Sequence, residues 1–200
     1  MAEPANVESN VESIDGRRMR TQRSKAAIIE AALALQLEGV LVPTAQQIAD
    51  RVGIRTRTFF RHFKDMEALF EASDQHMREA YTAPFRCGDR TGPLSKRVLG
   101  AVEQRAAAFE AFGLPIMSAF VQRWRSDVLQ SNYVRSNRDL RRHLENWLPE
   151  LKQLVSHRRE SAHAVASFEM WNRLRNDQGL NRKTATTAVA DLLQGLMEKN

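Results

Sequence analysis

The sequence predicts an all-α fold of about nine helices, and two patterns lead to this prediction. Apolar residues recur at intervals of three and four over most of the 200-residue chain, which places them on one face of a helix. The alternation typical of a strand lasts four residues at most, at 55–58, before two phenylalanines interrupt it. We therefore expect helices that pack on helices, without a sheet.

The composition is typical of a protein without cross-links or membrane spans. Its single cysteine, Cys87, excludes an intrachain disulfide and fits a reducing cytoplasm. No apolar run reaches eighteen residues, and the first forty residues lack the pattern of a secretion signal. We expect a cytoplasmic protein with no membrane partner. A redox role for Cys87 would require a thiol from another subunit or an activated thiolate.

Positive charge is concentrated early in the chain. Of the formal net charge of +6, residues 1–16 contribute −4, residues 17–64 contribute +7 (ten Lys or Arg against three Asp or Glu), and the remainder contributes +3 (20 against 17). Such a segment favours a polyanionic partner, nucleic acid before anionic lipid. A solvated basic face without a partner is the alternative.

Two predicted helices begin the ordered part of this basic segment. Residues 23–37 carry one apolar stripe and end before Gly39, a suitable C-terminal cap. Thr44 and Gln47 have the spacing of a capping box, in which each side chain bonds the other residue's backbone N–H. The capping box predicts a second, short helix that ends at Gly53.

A third helix is predicted directly after Gly53. Phe59 and Phe60 stand four and three residues before Phe63, so the three rings are expected to share one buried face. Arg57 and Arg61 are four residues apart and lie elsewhere on the surface. The third helix should therefore bury phenylalanines on one side and expose basic and polar residues on the other.

The rest of the chain continues the helical pattern. A longer helix follows from Asp65 to Pro84, and the segment 87–93, rich in Gly, Asp and Thr, is predicted as a loop and domain boundary. Gly113 and Pro115 are expected to separate two of the later helices. The five later helices are predicted at 94–112, 115–124, 126–147, 158–177 and 181–197.

The second and third helices together predict a helix-turn-helix unit. Gly53 can adopt the positive φ that the turn requires. In such a unit the first turn of the second helix faces the base edges in a major groove, and Arg55, Thr56 and Arg57 occupy that turn. Arginine can donate two hydrogen bonds to guanine, and threonine suits thymine. Thr44 and the free N–H groups beside it are expected to hold a phosphate.

Residues 28–70, "IIEAALALQLEGVLVPTAQQIADRVGIRTRTFFRHFKDMEALF", resemble the DNA-binding domain of the TetR family of bacterial transcriptional regulators. The shared pattern is an apolar helix, Gly, Thr, Ile-Ala, Gly, Thr-apolar-aromatic and His-Phe. The resemblance implies base-reading positions at Arg55, Thr56 and Arg57. It implies phosphate-contacting positions at Thr44, Thr58, Phe60 and His62.

The sequence departs from the family's usual pattern in three ways. Phe60 stands where the family usually has tyrosine, so a phenol that could bond a phosphate is missing. Met66 replaces a usual lysine, for which Lys64 or Arg61 is the available substitute. The base-reading turn carries two arginines in place of small or hydroxylated residues. We therefore expect a G-containing half-site and a steep dependence of affinity on salt.

The resemblance also implies an all-helical C-terminal domain for dimerisation and small-molecule sensing, and "FEMWNRLRNDQGLN" at 168–181 resembles the junction of the last two helices in many members. We expect a helix-turn-helix domain at 21–66 and a ligand-binding and dimerisation domain at 67–200. Residues 1–20 contain too few apolar residues to order themselves and are expected to form a flexible arm. Basic residues of the arm and its border either contact DNA or only make the arm soluble. These residues are Arg17, Arg18, Arg20 and Arg23.

Large rings and methionines cluster in the middle and late helices. Such residues suit a pocket for a flat, apolar or aromatic small ligand, although each is individually expected in a core. His143 or His163 could orient a polar group of the ligand, and a satisfied or solvated histidine is the alternative. The candidate pocket residues are Phe109, Phe112, Met117, Phe120, Trp124, Trp147, Met170 and Trp171.

The last helices carry an apolar stripe that predicts a homodimer interface. Two helices from each subunit would form a four-helix contact and set two recognition helices about 34 to 36 Å apart for a palindromic site. The alternative is a monomer that packs these residues inward. The candidate interface residues are Val165, Phe168, Ala185, Val189, Leu192, Leu193 and Leu196.

These patterns favour a sequence-specific, double-stranded-DNA-binding transcriptional regulator that acts as a ligand-responsive repressor. A helical interaction protein on anionic surfaces and an enzyme are the alternatives. The sequence has no paired carboxylates facing a pocket, no Gly-rich phosphate loop and no nucleophile beside a base. His157 and His163 are six apart and would point to different sides of a helix. We therefore expect no catalysis, no cofactor and no metal site.

Overall fold

The computed structural model describes residues 8–198, with side chains from residue 18 onward. Every regular element in this range is helical, which confirms the predicted fold class. The nine α-helices of the described range are α1 (Glu8–Leu37), α2 (Ala45–Val52), α3 (Thr56–His62), α4 (Met66–Thr82), α5 (Leu94–Gln122), α6 (Asp127–Trp147), α7 (Ser156–Val165), α8 (Phe168–Asn172) and α9 (Arg182–Met197).

The chain forms two compact units whose limits differ from the predicted domains. Unit 1 comprises the chain up to His76 together with Ser118–Leu129, and unit 2 comprises Met77–Met117 and the chain from Gln130 onward. The first boundary thus lies inside α4, beyond residue 66 and before the loop at 87–93. The sequence missed this division because the pattern of α4 continues without interruption across it.

Each unit has its own apolar core. The core of unit 1 joins α1 to the helix-turn-helix segment and to α4 through fully buried side chains such as Ile28, Ile48, Phe59 and Leu69. The larger core of unit 2 contains Trp147, 2% exposed, and residues from α5 to α9. Burial of these side chains stabilises each unit by roughly 1.5–3 kcal/mol per large residue.

Helix α1 begins much earlier than its apolar stripe. The stripe predicts a start near residue 23, whereas the helix begins at Glu8, so the prediction of a flexible arm is wrong for residues 8–20. Residues 18–25 are exposed, and tertiary burial therefore does not order them. A helix that is already nucleated extends by one backbone hydrogen bond per residue, which accounts for the extension. Residues 1–7 and the side chain of Arg17 lie outside the described residues.

Helix α5 continues through the predicted break at Gly113 and Pro115. It runs from Leu94 to Gln122 with Pro115 inside it, and Gly113 does not have a positive φ. An internal proline costs about 3 kcal/mol, but Pro115 is buried and apolar residues on both sides keep the same helical spacing. Packing of this continuous stripe therefore outweighs the local preference to stop.

Replacing Gly113 by alanine tests this continuity. A Cβ at position 113 would lie 3.9 Å from Phe168 Cε2, an ordinary contact, so Gly113→Ala should stabilise the protein by up to about 1 kcal/mol. Gly179→Ala is the control, because Gly179 has a φ of +67° and alanine there should destabilise by about 1 kcal/mol. Thermal unfolding of both variants gives the comparison. A loss of stability in Gly113→Ala would mean that α5 ends there.

The predicted helix at 158–177 is two helices. α7 ends at Val165, and Ser167 adopts an extended backbone (φ −81°, ψ 164°) with its hydroxyl accepting the Met170 N–H at 3.2 Å. Ser167 is thus an N-cap that begins α8, and a wide turn at Arg173–Asp177 follows. The periodicity of the flanking apolar residues concealed this cap. The predicted N-cap of the last helix is confirmed, since Asn181 Oδ1 accepts the Thr184 N–H at 2.9 Å.

The predicted interface stripe lies mostly inside unit 2. Ala185, Val189 and Leu193 are at most 4% exposed and belong to the core, and Phe168 is 8% exposed. These residues face inward because α9 packs along α7 within the same chain. The prediction that they form a surface is therefore wrong. Leu192 is 48% exposed, and Val165 and Leu196 are half-buried.

Candidate nucleic-acid interface

The start of α2 has the predicted capping box. Thr44 Oγ1 accepts the Gln47 N–H at 3.2 Å, and Gln47 Oε1 accepts the Thr44 N–H at 2.9 Å. These two bonds fix the entry of the chain into α2. The N–H groups of Ala45 and Gln46 have no acceptor within the helix and remain available to an anion.

Gly53 makes the turn between α2 and α3. It has a φ of 75° and a ψ of 32°, and its N–H donates to Asp50 O at 3.1 Å. The next N–H, of Ile54, donates to Ala49 O at 3.0 Å. Space would allow a Cβ at this position, so the positive φ is the reason that glycine is favoured here. This confirms the predicted conformation of the turn.

The three phenylalanines of α3 do not share one face. Phe59 and Phe63 are buried at 0% and 2% exposure, whereas Phe60 is 48% exposed. The prediction was wrong because α3 ends at His62, and Phe63 has an extended φ of −131°. The helical relation between positions 60 and 63 therefore does not hold. The Phe60 ring lies edge-on to Phe59, with centroids 5.2 Å apart, and presents its other side to solvent.

Exposed arginines follow the turn. Arg55, Arg57 and Arg61 are exposed, and none of them has an ion-pair partner among the described side chains. Arg51, at the end of α2, is different, because Glu38 binds its guanidinium through both oxygens, one at 2.8 Å. Acidic groups thus neutralise the side of the motif that carries Arg51 and leave the first turn of α3 positively charged.

Thr56 is tied to the preceding helix. Its hydroxyl bonds Gln46 Oε1, and Gln46 Nε2 donates to Asp50 Oδ1 at 2.7 Å. This chain of bonds fixes α3 against α2. The sequence reading missed Gln46, for which an exposed amide on the first turn of α2 was the only sign. Thr58 is half-buried. The Lys64 side chain is 82% exposed, and its Nζ lies 3.8 Å from Asp65 Oδ2.

His62 lies at the end of α3 and is half-buried. Burial lowers its pKa, and the positive charges of Arg61 and Lys25 lower it further. The imidazole is therefore neutral at pH 7 and can contribute a hydrogen bond to a phosphate. A phosphate beside it would favour the protonated form.

Unit 1 includes a segment that the sequence assigned elsewhere. Gln36 Nε2 on α1 donates to Ser118 Oγ at 2.9 Å, and Ser126 Oγ donates to Glu67 Oε2 at 2.9 Å. Ser118 is fully buried. These bonds attach residues 118–129 to the helix-turn-helix domain. A polar residue in an otherwise apolar stripe was the only sequence signal for this contact.

Two of the eight candidate pocket residues line a pocket described in unit 2. Phe109 and Trp171 line a small pocket of unit 2 with room for about one water molecule. Phe112, Met117 and Met170 are half-buried.

Three other candidates do not line this pocket. Trp124 is 81% exposed, and Phe120 belongs with it to unit 1. Trp147 is fixed in the core, where its Nε1–H donates to His143 Nε2 at 3.1 Å. His163 Nε2 lies 3.1 Å from Glu145 Oε1. Both candidate histidines therefore have partners within the protein. The described residues contain no cluster of three potential metal ligands.

A capped helix, a left-handed glycine and a second helix with unpaired arginines define a helix-turn-helix DNA-binding domain. Residues 28–73 match the family model described as "Bacterial regulatory proteins, tetR family". The helix-turn-helix segment is therefore similar in sequence to the DNA-binding domain of these regulators.

The fold is similar to that of a transcriptional regulator from Rhodococcus sp. Rha1, with a TM-score of 0.65 and 17% identity over 88% of this chain and 95% of that chain. No curated protein matches the sequence. None of the described helices combines the length and apolarity needed to cross a bilayer.

Restoring the phenol at position 60 should strengthen DNA binding. Phe60 is exposed beside the basic turn, so Phe60→Tyr adds a donor with little effect on the free energy of unfolding, within about 0.5 kcal/mol. A new bond to a phosphate should raise affinity roughly tenfold for specific and random DNA alike, because phosphates carry no sequence information. Fluorescence anisotropy measures both. Unchanged affinity would exclude a phosphate contact at this position.

Proposed function

We propose that the protein is a ligand-responsive repressor that binds a palindromic operator as a homodimer. The observation that carries the proposal is two exposed arginines without ion-pair partners among the described residues, Arg55 at the N-cap of α3 and Arg57 on its first turn. Arginines in that position can each donate two hydrogen bonds to guanine O6 and N7 in the major groove. Operator binding would block transcription, and ligand binding in unit 2 would lower the affinity for DNA.

The remaining candidate contacts would hold the DNA backbone. Thr44 and the free N–H groups of α2 suit a phosphate, as do Thr58, His62 and Lys64 at the other end of the motif. Arg18 and Arg23 lie exposed on the N-terminal part of α1 and extend the basic surface. We assign this DNA-binding role to unit 1 as a whole, including residues 118–129, and we assign ligand binding and dimerisation to unit 2.

The dimer would use the outer face of α9. Leu192 is 48% exposed, and Ala188 and Leu196 beside it are half-buried, so a second copy can cover an apolar strip that the chain itself leaves open. A dimer supplies the surface that a single helix-turn-helix lacks for specific binding. Sedimentation of wild-type protein and Leu192→Asp would test this assignment. The free cysteine is consistent with action in the cytoplasm.

Selection of bound sequences from random DNA by the purified protein tests the function. We expect enrichment of an inverted repeat with guanine in each half-site and an affinity that falls steeply as salt increases. Enrichment of no sequence, or binding that is insensitive to salt, would refute the proposal. Retention on anionic vesicles without DNA binding would favour the alternative of a surface-binding protein.

Arg57→Ala should lower the affinity for the selected sequence more than the affinity for random DNA. Loss of a base contact should reduce the preference for the selected sequence over random DNA by about 1–3 kcal/mol. Lys64→Ala is the matched control, because loss of a phosphate contact should weaken both affinities equally. Anisotropy titrations of both variants on both DNAs decide between these effects. Equal weakening in Arg57→Ala would mean that Arg57 does not read bases.

A further inference from the structure

Unit 2 contains a buried arginine without an acidic partner. Arg105 on α5 is 4% exposed. One terminal amino group donates to Ala166 O at 2.8 Å, and the other donates to Leu140 O. The buried Nε–H finds no acceptor in the part of the chain that the structure describes. Both known partners are neutral carbonyls, so the charge of the guanidinium is uncompensated.

A buried, uncompensated charge is costly to a fold and needs a reason. Burial lowers the pKa of Arg105 to about 10, so the group stays charged at neutral pH. No ion pair joins it to a carboxylate among the described residues, and three carboxylates of the same unit are bonded to other side chains. These bonded pairs are Glu110 with Trp171 and Arg175, Glu145 with Arg159 and His163, and Glu150 with Arg97.

Arg105 also lines the small pocket of unit 2. The wall is otherwise apolar apart from Ser167, and it consists of Val102, Phe109, Val165, Ala166, Ser167, Trp171 and Val189. The Ser167 oxygen accepts the Met170 N–H at 3.2 Å, which leaves the hydroxyl proton free to donate. A cationic donor and a hydroxyl donor thus lie in the wall of an otherwise apolar pocket.

We propose that unit 2 binds a small apolar monocarboxylate at Arg105. The carboxylate accepts the Arg105 Nε–H and the Ser167 O–H, and the hydrocarbon part lies among the apolar side chains of the pocket. The pocket must widen beyond the volume of one water to admit such a ligand. Its wall includes the break between α7 and α8, where Ala166 and Ser167 leave the regular helix. Control of DNA binding through this site rests on the proposed function. Binding of the carboxylate does not depend on it.

Hexanoate is the probe, and hexanamide is its neutral control. In ¹⁵N-labelled protein the Arg105 Nε–H signal, assigned by its absence in Arg105→Lys, should shift on addition of hexanoate and remain in place with hexanamide. Affinity should rise about fourfold per methylene from butyrate to hexanoate, as expected for burial of the chain. If only a buried water bonds the Nε–H, no carboxylate will move the signal, and the proposal is overturned.

Variants provide the second readout. Hexanoate should raise the melting temperature of wild type, and Arg105→Met should weaken hexanoate binding at least about tenfold. Arg97→Met removes another arginine of α5, one paired with Glu150, and should leave binding unchanged. Equal binding of hexanoate and hexanamide, or undiminished binding by Arg105→Met, would overturn the proposal. These measurements contain no DNA and therefore test the site alone. In a separate DNA titration, bound hexanoate without any effect on DNA affinity would contradict regulation through Arg105 and leave the site standing.

Discussion

Phe59→Ala should destabilise unit 1 by about 3–5 kcal/mol and abolish DNA binding under conditions where the wild type is folded. Phe59 is fully buried and packs on Phe63 with ring centroids 5.9 Å apart. It belongs to the cluster that joins α3 to α1, α2 and α4. Removing the ring loses its transfer free energy and leaves a cavity. Such a loss is a large part of the 5–15 kcal/mol by which a typical protein is stable.

The neighbouring ring provides a matched control. Phe60 has the same side chain in the same helix but is 48% exposed, so Phe60→Ala should cost no more than about 1 kcal/mol. Urea unfolding followed by circular dichroism measures both variants. Equal losses at the two positions would show that the rings share a buried face, as the sequence alone predicts, and would contradict the orientation of α3.

Acid should destabilise unit 2 through His143. Burial lowers its pKa to about 3, with further contributions from the charges of Arg105 and Arg90, whereas an unfolded histidine has a pKa of about 6.5. The unfolded chain therefore takes up a proton first as the pH falls. The contribution of His143 to the free energy of unfolding is fully present above about pH 6.5. It declines towards pH 3 by up to about 1.4 kcal/mol per pH unit.

His143→Gln should flatten this profile. Glutamine can still accept the Trp147 N–H but does not titrate. The slopes of stability against pH of wild type and His143→Gln are compared between pH 6.5 and about 5, where the carboxylates do not yet titrate. His62 and His163 also have lowered pKa values, so some slope should remain. His157→Gln, at an exposed position of the same unit, is the control for the substitution itself. An unchanged slope in His143→Gln would exclude His143 as a source of acid sensitivity.

The DNA-binding motif could be predicted from the sequence because its features depend on residues close to one another in the chain. The Thr44 capping box and the positive φ of Gly53 each depend on residues within a few positions, and both predictions are confirmed. Phe60 was misplaced because the periodicity argument assumed that α3 continues to Phe63. The helix ends at His62 because the Phe63 backbone is extended, and the spacing of apolar residues does not show where a helix ends.

Unit 2 was less predictable because its organisation depends on contacts distant in sequence. Ala185, Val189 and Leu193 form a stripe that fits a dimer surface and a core equally well, and the packing of α9 on α7 makes them core. Arg105 resembles any solvated arginine in the sequence. Its burial appears only when α5 and α6 and the turn after α7 are brought together, as the bond to Ala166, 61 positions away, illustrates.

The central claim is that the first turn of α3 reads guanines in a major groove, and substitution of 7-deazaguanine in the selected operator tests it most directly. This base lacks the N7 acceptor and still pairs normally. We predict that replacing one particular guanine per half-site weakens wild-type binding roughly tenfold or more and has no further effect on Arg57→Ala. The claim would be contradicted if the substitution lowered DNA affinity equally in wild type, Arg55→Ala and Arg57→Ala. It would also be contradicted if substitution of no guanine lowered the affinity of wild type.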